Sequence, residues 1–179
     1  KRQVVNSANH TPVVFDEPSR FLKDSSGADY EIPSPESTSS APNKNSYNYL
    51  MRVAQSAKTS SERIQQAWSA YQTEVDYGIL PMDLPKVAAC IEAGYPAQLY
   101  HVAFRNNSFD THVQQPALHR RLLSYASDAI TGFVRDLKQK AIDQNVVVLI
   151  HSEFGRRAGE NANLGTDHGT ANIMFLAGT

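Results

Sequence analysis

Leu118, Leu122, Ala126, Ala129, Phe133 and Leu137 recur at steps of three or four residues, and a short polar break separates them from the unbroken run Val146–Val147–Val148–Leu149–Ile150. The first spacing lays one apolar stripe along a helix from about Pro116 to Lys140. The second run, apolar on both faces, suits a central strand covered on both sides. Upstream, Ala97–Gln98–Leu99–Tyr100–His101–Val102–Ala103–Phe104 reads as another strand, with Arg105–Asn106–Asn107–Ser108 as the loop after it. Strand, helix and strand at this spacing predict a βαβ unit, and with it an α/β fold built on a parallel sheet.

The preceding residues add helices and a long irregular lead-in. Residues 1–43 are rich in Pro, Ser, Asn and Asp and predict an extended segment, because so few apolar groups cannot offset the entropy of ordering it. Helical spacing runs through Tyr47–Ala57 and resumes through Ile64, Ala67, Trp68, Tyr71 and Val75, with Thr59–Ser60–Ser61–Glu62 as a helix-start signal between the two. Trp68 and Tyr71 are read as core packing rather than as a binding platform. A short helix is expected over Leu84–Ala93, with Pro85 in its first turn and Gly94 as its stop. Residues 44–179 are read as part of one domain, since a chain near 150 residues buries roughly 70% of its unfolded surface. The chain opens at Lys1 and stops at Thr179, just beyond the strand-like Ile173–Met174–Phe175–Leu176, and both ends read as cut.

Charge narrows the range of partners. Seventeen basic residues against eighteen acidic leave a formal charge of -1, so no basic excess calls for nucleic acid. No apolar run is long enough to span a membrane. The single cysteine, Cys90, excludes an internal disulfide and a cysteine-based zinc site and is expected in the core.

Three loops carry residues suited to chemistry. They are Phe109–Asp110–Thr111–His112–Val113–Gln114–Gln115, His151–Ser152–Glu153–Phe154–Gly155–Arg156–Arg157, and Asn161–Ala162–Asn163–Leu164–Gly165–Thr166–Asp167–His168–Gly169. In open α/β sheets, loops beyond the carboxyl ends of the strands hold ligands, and each of these offers a group that can ligate a divalent cation. Carboxylate oxygen with imidazole nitrogen suits zinc, manganese or iron(II), whereas calcium prefers an all-oxygen shell. Such a cation polarises an ester oxygen, and a pair of them clamps both oxygens of an in-line displacement. Arg156 or Arg157 offers a planar fork for a phosphate or sulfate. Structural readings stand beside these: Asp110 as a loop cap, Asp167 as a turn carboxylate, Glu153 paired with Arg156, and His151 as a buried imidazole. Convergence of the three loops favours a metal site, with Asp110, His112 and His168 as its leading members.

The motifs Phe109–Asp110–Thr111–His112 with Gln115, Ser152–Glu153–Phe154–Gly155–Arg156, and Gly165–Thr166–Asp167–His168–Gly169 resemble, in order and spacing, the bacterial family called domain of unknown function 1501. That family is sulfatase-like and is placed near the alkaline phosphatase superfamily. The resemblance covers about residues 97–179 by motif and 47–95 less specifically. It implies a three-layer α/β/α sandwich of alkaline-phosphatase/sulfatase type, here incomplete, with its N-terminal strand and C-terminal end missing. It also implies a site in which Asp110 and His112 are the first two ligands and His168 the distant histidine. Glu153 then stands where an Asp-His pair would begin. The hydrolase expectation adds Glu153 as ligand or base, Asp167 as a further ligand and Arg156 as the anion clamp. Phe154 replaces the histidine of a second metal position. The early Asp and the nucleophile would precede Lys1, so Ser152 is a loop residue and the chain alone is expected to be inactive.

The function so implied is metal-dependent hydrolysis of phosphate or sulfate esters, with zinc or manganese as the favoured cation and iron or calcium as the others. The substrate would be an anionic small molecule or glycan ester, and the parent protein periplasmic or extracellular. The competing expectation is a non-catalytic exported binding or structural protein that keeps the fold.

Overall fold

The computed structural model describes residues 44–104 and 108–178. The expected extended segment 1–43 and most of the expected loop at 105–108 lie outside the described residues. The chain divides into two compact units, one running through Tyr71 and including Ala93–Ala97, the other comprising Gln72–Glu92 and Gln98–Thr179.

In the first unit a single helix, α1, spans Lys44–Ala70. The start signal at Thr59–Glu62 does not divide it, because Ser61 is buried on the same helical face as Ile64 and Ala67. A serine hydroxyl can cap a helix only where the backbone has left helical geometry, and here the apolar face keeps it helical. Trp68 was expected in the core but is 40% exposed. Its ring stacks on Tyr71 at 6.0 Å, so the two aromatics cover each other.

The second unit carries α2, Leu84–Glu92, which buries Leu84, Ala88, Ala89 and Cys90. The chain leaves this helix through Gly94, whose φ of +64° suits a residue without a Cβ. Helix α3, Gln115–Gln139, falls within a residue of the expected bounds and buries Leu122, Ala129, Phe133 and Leu137. Leu118, at the start of the expected stripe, is exposed. Asp136 lies on the buried face of α3, where it accepts hydrogen bonds from Thr73 Oγ1 at 2.8 Å and Tyr77 Oη at 2.6 Å. The segment 76–77 crosses α3 so closely that a Cβ at Gly132 would sit 2.8 Å from Asp76 O.

The strands depart from expectation. A short 3₁₀ turn, Asp143–Asn145, leads into β1, Val147–Ile150. The remaining strands are β2 (Gly155–Arg156), β3 (His168–Gly169) and β4 (Phe175–Gly178). β1 pairs antiparallel with β4, and β2 pairs antiparallel with β3. The fold is thus mixed helix and sheet, as expected of an α/β chain, but the parallel βαβ unit does not form among the described residues. Ala97–Phe104 carries no regular element. A strand is defined by its partner, so β-branched and aromatic content alone does not create one. The expectation that β1 is covered on both faces is likewise corrected, since Val147 and Leu149 are more than half exposed. No helix among the described residues is long and apolar enough to cross a membrane.

Asp136→Ala strips a buried tyrosine and a threonine hydroxyl of a charged acceptor. Urea unfolding is expected to show a loss of about 1.5–3 kcal/mol, against a negligible change if this carboxylate does not anchor 73–77 to α3.

Candidate metal centre

The site is built where the start of α3 meets two loops distant in sequence. Helix α3 has no side-chain cap, and Gln114 before it is left-handed with φ 45°. The amides of Gln114 and Gln115 donate instead to the carbonyls of Asn163 and Leu164, each at 2.9 Å, which satisfies donors that a helix start leaves open. The Gln115 side chain extends this junction. Its Nε2 donates to the carbonyl and hydroxyl of Thr111, and its Oε1 accepts from Thr166 Oγ1 at 2.8 Å. Asn161 organises the third loop, because its Oδ1 accepts from the amides of Asn163 and Gly165 while its Nδ2 donates to the carbonyl of His112. Gly165 lies against that same carbonyl, and a Cβ there would collide with the His112 backbone.

Arg156 ties in the second loop. Its guanidinium donates to Thr166 O and, at 2.8 Å, to Phe109 O, and it sits 4.9 Å from the centre of the Phe154 ring. Phe154 in turn stacks on His168 with centroids 4.3 Å apart and planes 17° from parallel. The β2–β3 pairing places Arg156 opposite His168.

These ties bring together Asp110, His112 and His168. Oδ1 of Asp110 accepts from Nε2 of His112 at 2.9 Å and from Nε2 of His168 at 2.8 Å. All three ligand atoms lie within 4.8 Å of one another. The hydrogen bond from His168, then that from His112, with smaller help from the imidazole charges, holds the Asp110 carboxyl below the ordinary carboxylate range. That favours the ionised form which ligates a cation. Zinc bonds of about 2.0–2.1 Å would set tetrahedral ligand neighbours roughly 3.3 Å apart, so the two carboxylate–imidazole contacts would open by about half an ångström around a cation. The side chains are partly exposed, so the cluster is reachable from solvent. Two imidazoles and one carboxylate, borderline and hard donors together, suit zinc, manganese or iron(II) better than calcium.

A protein-family profile described as "Protein of unknown function (DUF1501)" matches residues 88–179, just over half of the chain. The chain belongs to the DUF1501 family. No curated protein and no solved structure matches it.

Not every expected residue joins the cluster of this DUF1501 chain. Glu153 is exposed on the loop after β1 and is not among the three clustered ligands. Asp167 is also outside the cluster; its Oδ1 faces the other nitrogen of His112, Nδ1, at 3.4 Å. Arg156, expected to clamp an anion, has both terminal nitrogens directed at backbone carbonyls, so its contacts hold loops together. His151 is exposed rather than buried. Sequence reasoning assigned no role to Gln115 or Asn161, the two amides that tie the loops. The pattern Asn161-x-Asn163-x-Gly165 carried a signal, because Asn accepting from the amide two residues on makes a turn.

A cleft of about 690 Å³ opens along the first half of α3, with His119, Arg120 and Arg156 on its walls. Burial, and secondarily the Arg156 charge, hold the His119 imidazole below its usual 6.5. Its Nδ1 is buried with no hydrogen-bond partner among the described residues. The neutral ring is therefore the form that folding favours. The associated stability is fully present above the unfolded value near 6.5 and is lost as pH falls below it toward the folded value. His119→Gln is expected to show a smaller drop in Tm than wild type between about pH 7 and about pH 5; equal drops would contradict this.

Gly165→Ala forces the third loop off the His112 carbonyl. The expected outcome is about 1–3 kcal/mol of lost stability with zinc affinity reduced by about 10-fold or more, read by calorimetric titration. Unchanged affinity would show that the close approach does not set the position of His112.

Proposed function

We propose that the chain contributes the metal-binding part of an exported, metal-dependent hydrolase of phosphate or sulfate esters, with Asp110, His112 and His168 holding one divalent cation, zinc or manganese. The observation that carries this reading is the convergence of one carboxylate oxygen and two Nε2 atoms from two loops, with Asp110 and His168 separated by 58 residues in sequence. The chemistry such a cation supplies is polarisation of an ester oxygen and activation of water at neutral pH. This chain's own residues do the positioning. Asp110 provides the compensating charge, Phe154 holds the His168 ring by stacking, and Arg156 keeps Phe154 and the loop carbonyls in place. Arg120 on the neighbouring cleft suits a substrate that carries negative charge. The motif resemblance to the sulfatase-like family, and through it to a three-layer sandwich and a periplasmic or extracellular setting, supports the same reading.

The second reading is a non-catalytic exported binding protein. It draws on Phe154, which occupies the place of a second-site histidine, and on the engagement of Arg156 with backbone carbonyls.

Elemental analysis of the purified chain is expected to find about one zinc or manganese per molecule, and Asp110→Ala with His168→Ala to abolish it, a larger effect than the about 10–100-fold that loss of an outer partner causes. Metal-free wild-type protein after growth with zinc and manganese would overturn the site. For the parent protein, metal-dependent turnover on a panel of phosphate and sulfate esters supports the hydrolase, and retention of an anionic glycan without turnover supports the second reading.

A further inference from the structure

The two nitrogens of His112 face different carboxylates. Nε2 points at Asp110, within the ligand cluster, and Nδ1 points at Asp167 Oδ1, 3.4 Å away. The lone-pair directions of the two ring nitrogens diverge, so a carboxylate lying against Nδ1 is on the far side of the imidazole from a cation held at Nε2. Metal-bound histidines commonly donate their second N–H to a carboxylate, which fixes ring orientation and raises the basicity of the ligating nitrogen.

Asp167 is itself held for this purpose at several points. Asn161 Nδ2 donates to Asp167 Oδ1 at 3.1 Å, the same oxygen that faces His112, and also to the His112 carbonyl at 3.1 Å. One amide group therefore registers the carboxylate against both the ring and the backbone of the histidine. The Asp167 main chain is fixed too, since its carbonyl accepts from the Arg157 amide at 2.9 Å. Asp167 precedes the ligand His168 directly in sequence, so the two side chains of this dipeptide serve the centre differently, one at the cation and one behind the opposite imidazole.

We infer that Asp167 is a positioning residue for the metal centre, accepting the Nδ1–H of His112 and presenting Nε2 to the cation, rather than a ligand. This rests on the metal-centre reading above and assigns within it a role that the residue's place in the motif does not reveal.

The test is zinc titration of the full chain against a competing chelator, with Asp110→Ala, Asp167→Ala and Asp167→Asn beside wild type, and nitrogen-resolved NMR of the histidine rings in the zinc-loaded proteins. Asp167→Ala is expected to keep one zinc per chain with affinity reduced about 10–100-fold. The same variant loses the slowly exchanging, downfield Nδ1 proton of His112 while leaving the His168 ring signals in place. Asp167→Asn, which keeps the shape and a neutral acceptor, retains a weaker form of that signal and loses less affinity. The apo proteins are compared by thermal unfolding, so that a folding defect is separated from a ligation defect. Zinc binding by wild type that Asp110→Ala abolishes but Asp167→Ala leaves at full strength overturns this inference alone. Loss of stoichiometric zinc in both Asp167 variants, with apo stability unchanged, shows Asp167 to be a ligand and also overturns it. Absence of zinc binding in wild type sinks the metal-centre reading and this inference with it.

Discussion

The side chain of Gln115 is the joint on which the site depends. It is one amide whose donor end holds Thr111 and whose acceptor end holds Thr166, 51 residues further along the chain. Thr111 stands between Asp110 and His112, and Thr166 is two residues before His168. A single planar group thus sets the spacing between the two loops that carry the cluster. Amide, hydroxyl and carbonyl partners are all neutral, so the joint holds the loops without adding a charge that would compete with the ligand cluster. Arg156 repeats the connection from the other side, joining Phe109 O and Thr166 O through its guanidinium. The fork can face carbonyls because each is a strong acceptor.

The residues of the cluster were legible in the sequence because their chemistry is intrinsic. Asp110, His112 and His168 are carboxylate and imidazoles in loops next to predicted regular elements, and the structure brings those three together. The helices were legible for a similar reason: the three- or four-residue spacing of Leu122, Ala126, Ala129, Phe133 and Leu137 is a property of one segment. The sheet was not, since pairing is a property of two segments. Val147–Ile150 reads as a strand, but nothing in its own residues states that Phe175–Gly178 lies beside it in the antiparallel sense. The same limit applies to Asp167 and Arg156. Their charges suggest ligand and clamp, while the contacts they make are decided by which loop arrives alongside.

The two histidines of the centre are supported by different physics. His168 is held by a face-on ring, with Phe154 stacked on it and the Arg156 guanidinium over Phe154. His112 is held by polar atoms, with Asn161 at its carbonyl and Asp167 at its second nitrogen. Stacking restricts tilt of a ring but leaves rotation within the ring plane comparatively free, whereas a hydrogen bond to one nitrogen restricts that rotation. His168 is thus held in tilt by stacking and in direction only through Asp110, whereas His112 has a carboxylate facing each of its ring nitrogens.

The beginning of α3 has a further consequence for how the molecule comes together. Its first amides are satisfied by the carbonyls of Asn163 and Leu164, and Gln114 occupies a left-handed conformation that non-glycine residues seldom adopt. A helix with its own serine or aspartate cap can be complete as a local event. This one is complete only when a loop nearly fifty residues downstream has closed onto it, and closing a loop of that length carries an entropic cost that must be met before any of these contacts form. The first turn of α3 and the ligand cluster are thus products of the same long-range closure, and contacts of high sequence separation are the slow ones in folding. The candidate ligands Asp110 and His112 ahead of α3 and His168 beyond it therefore come into register together with the first turn of that helix.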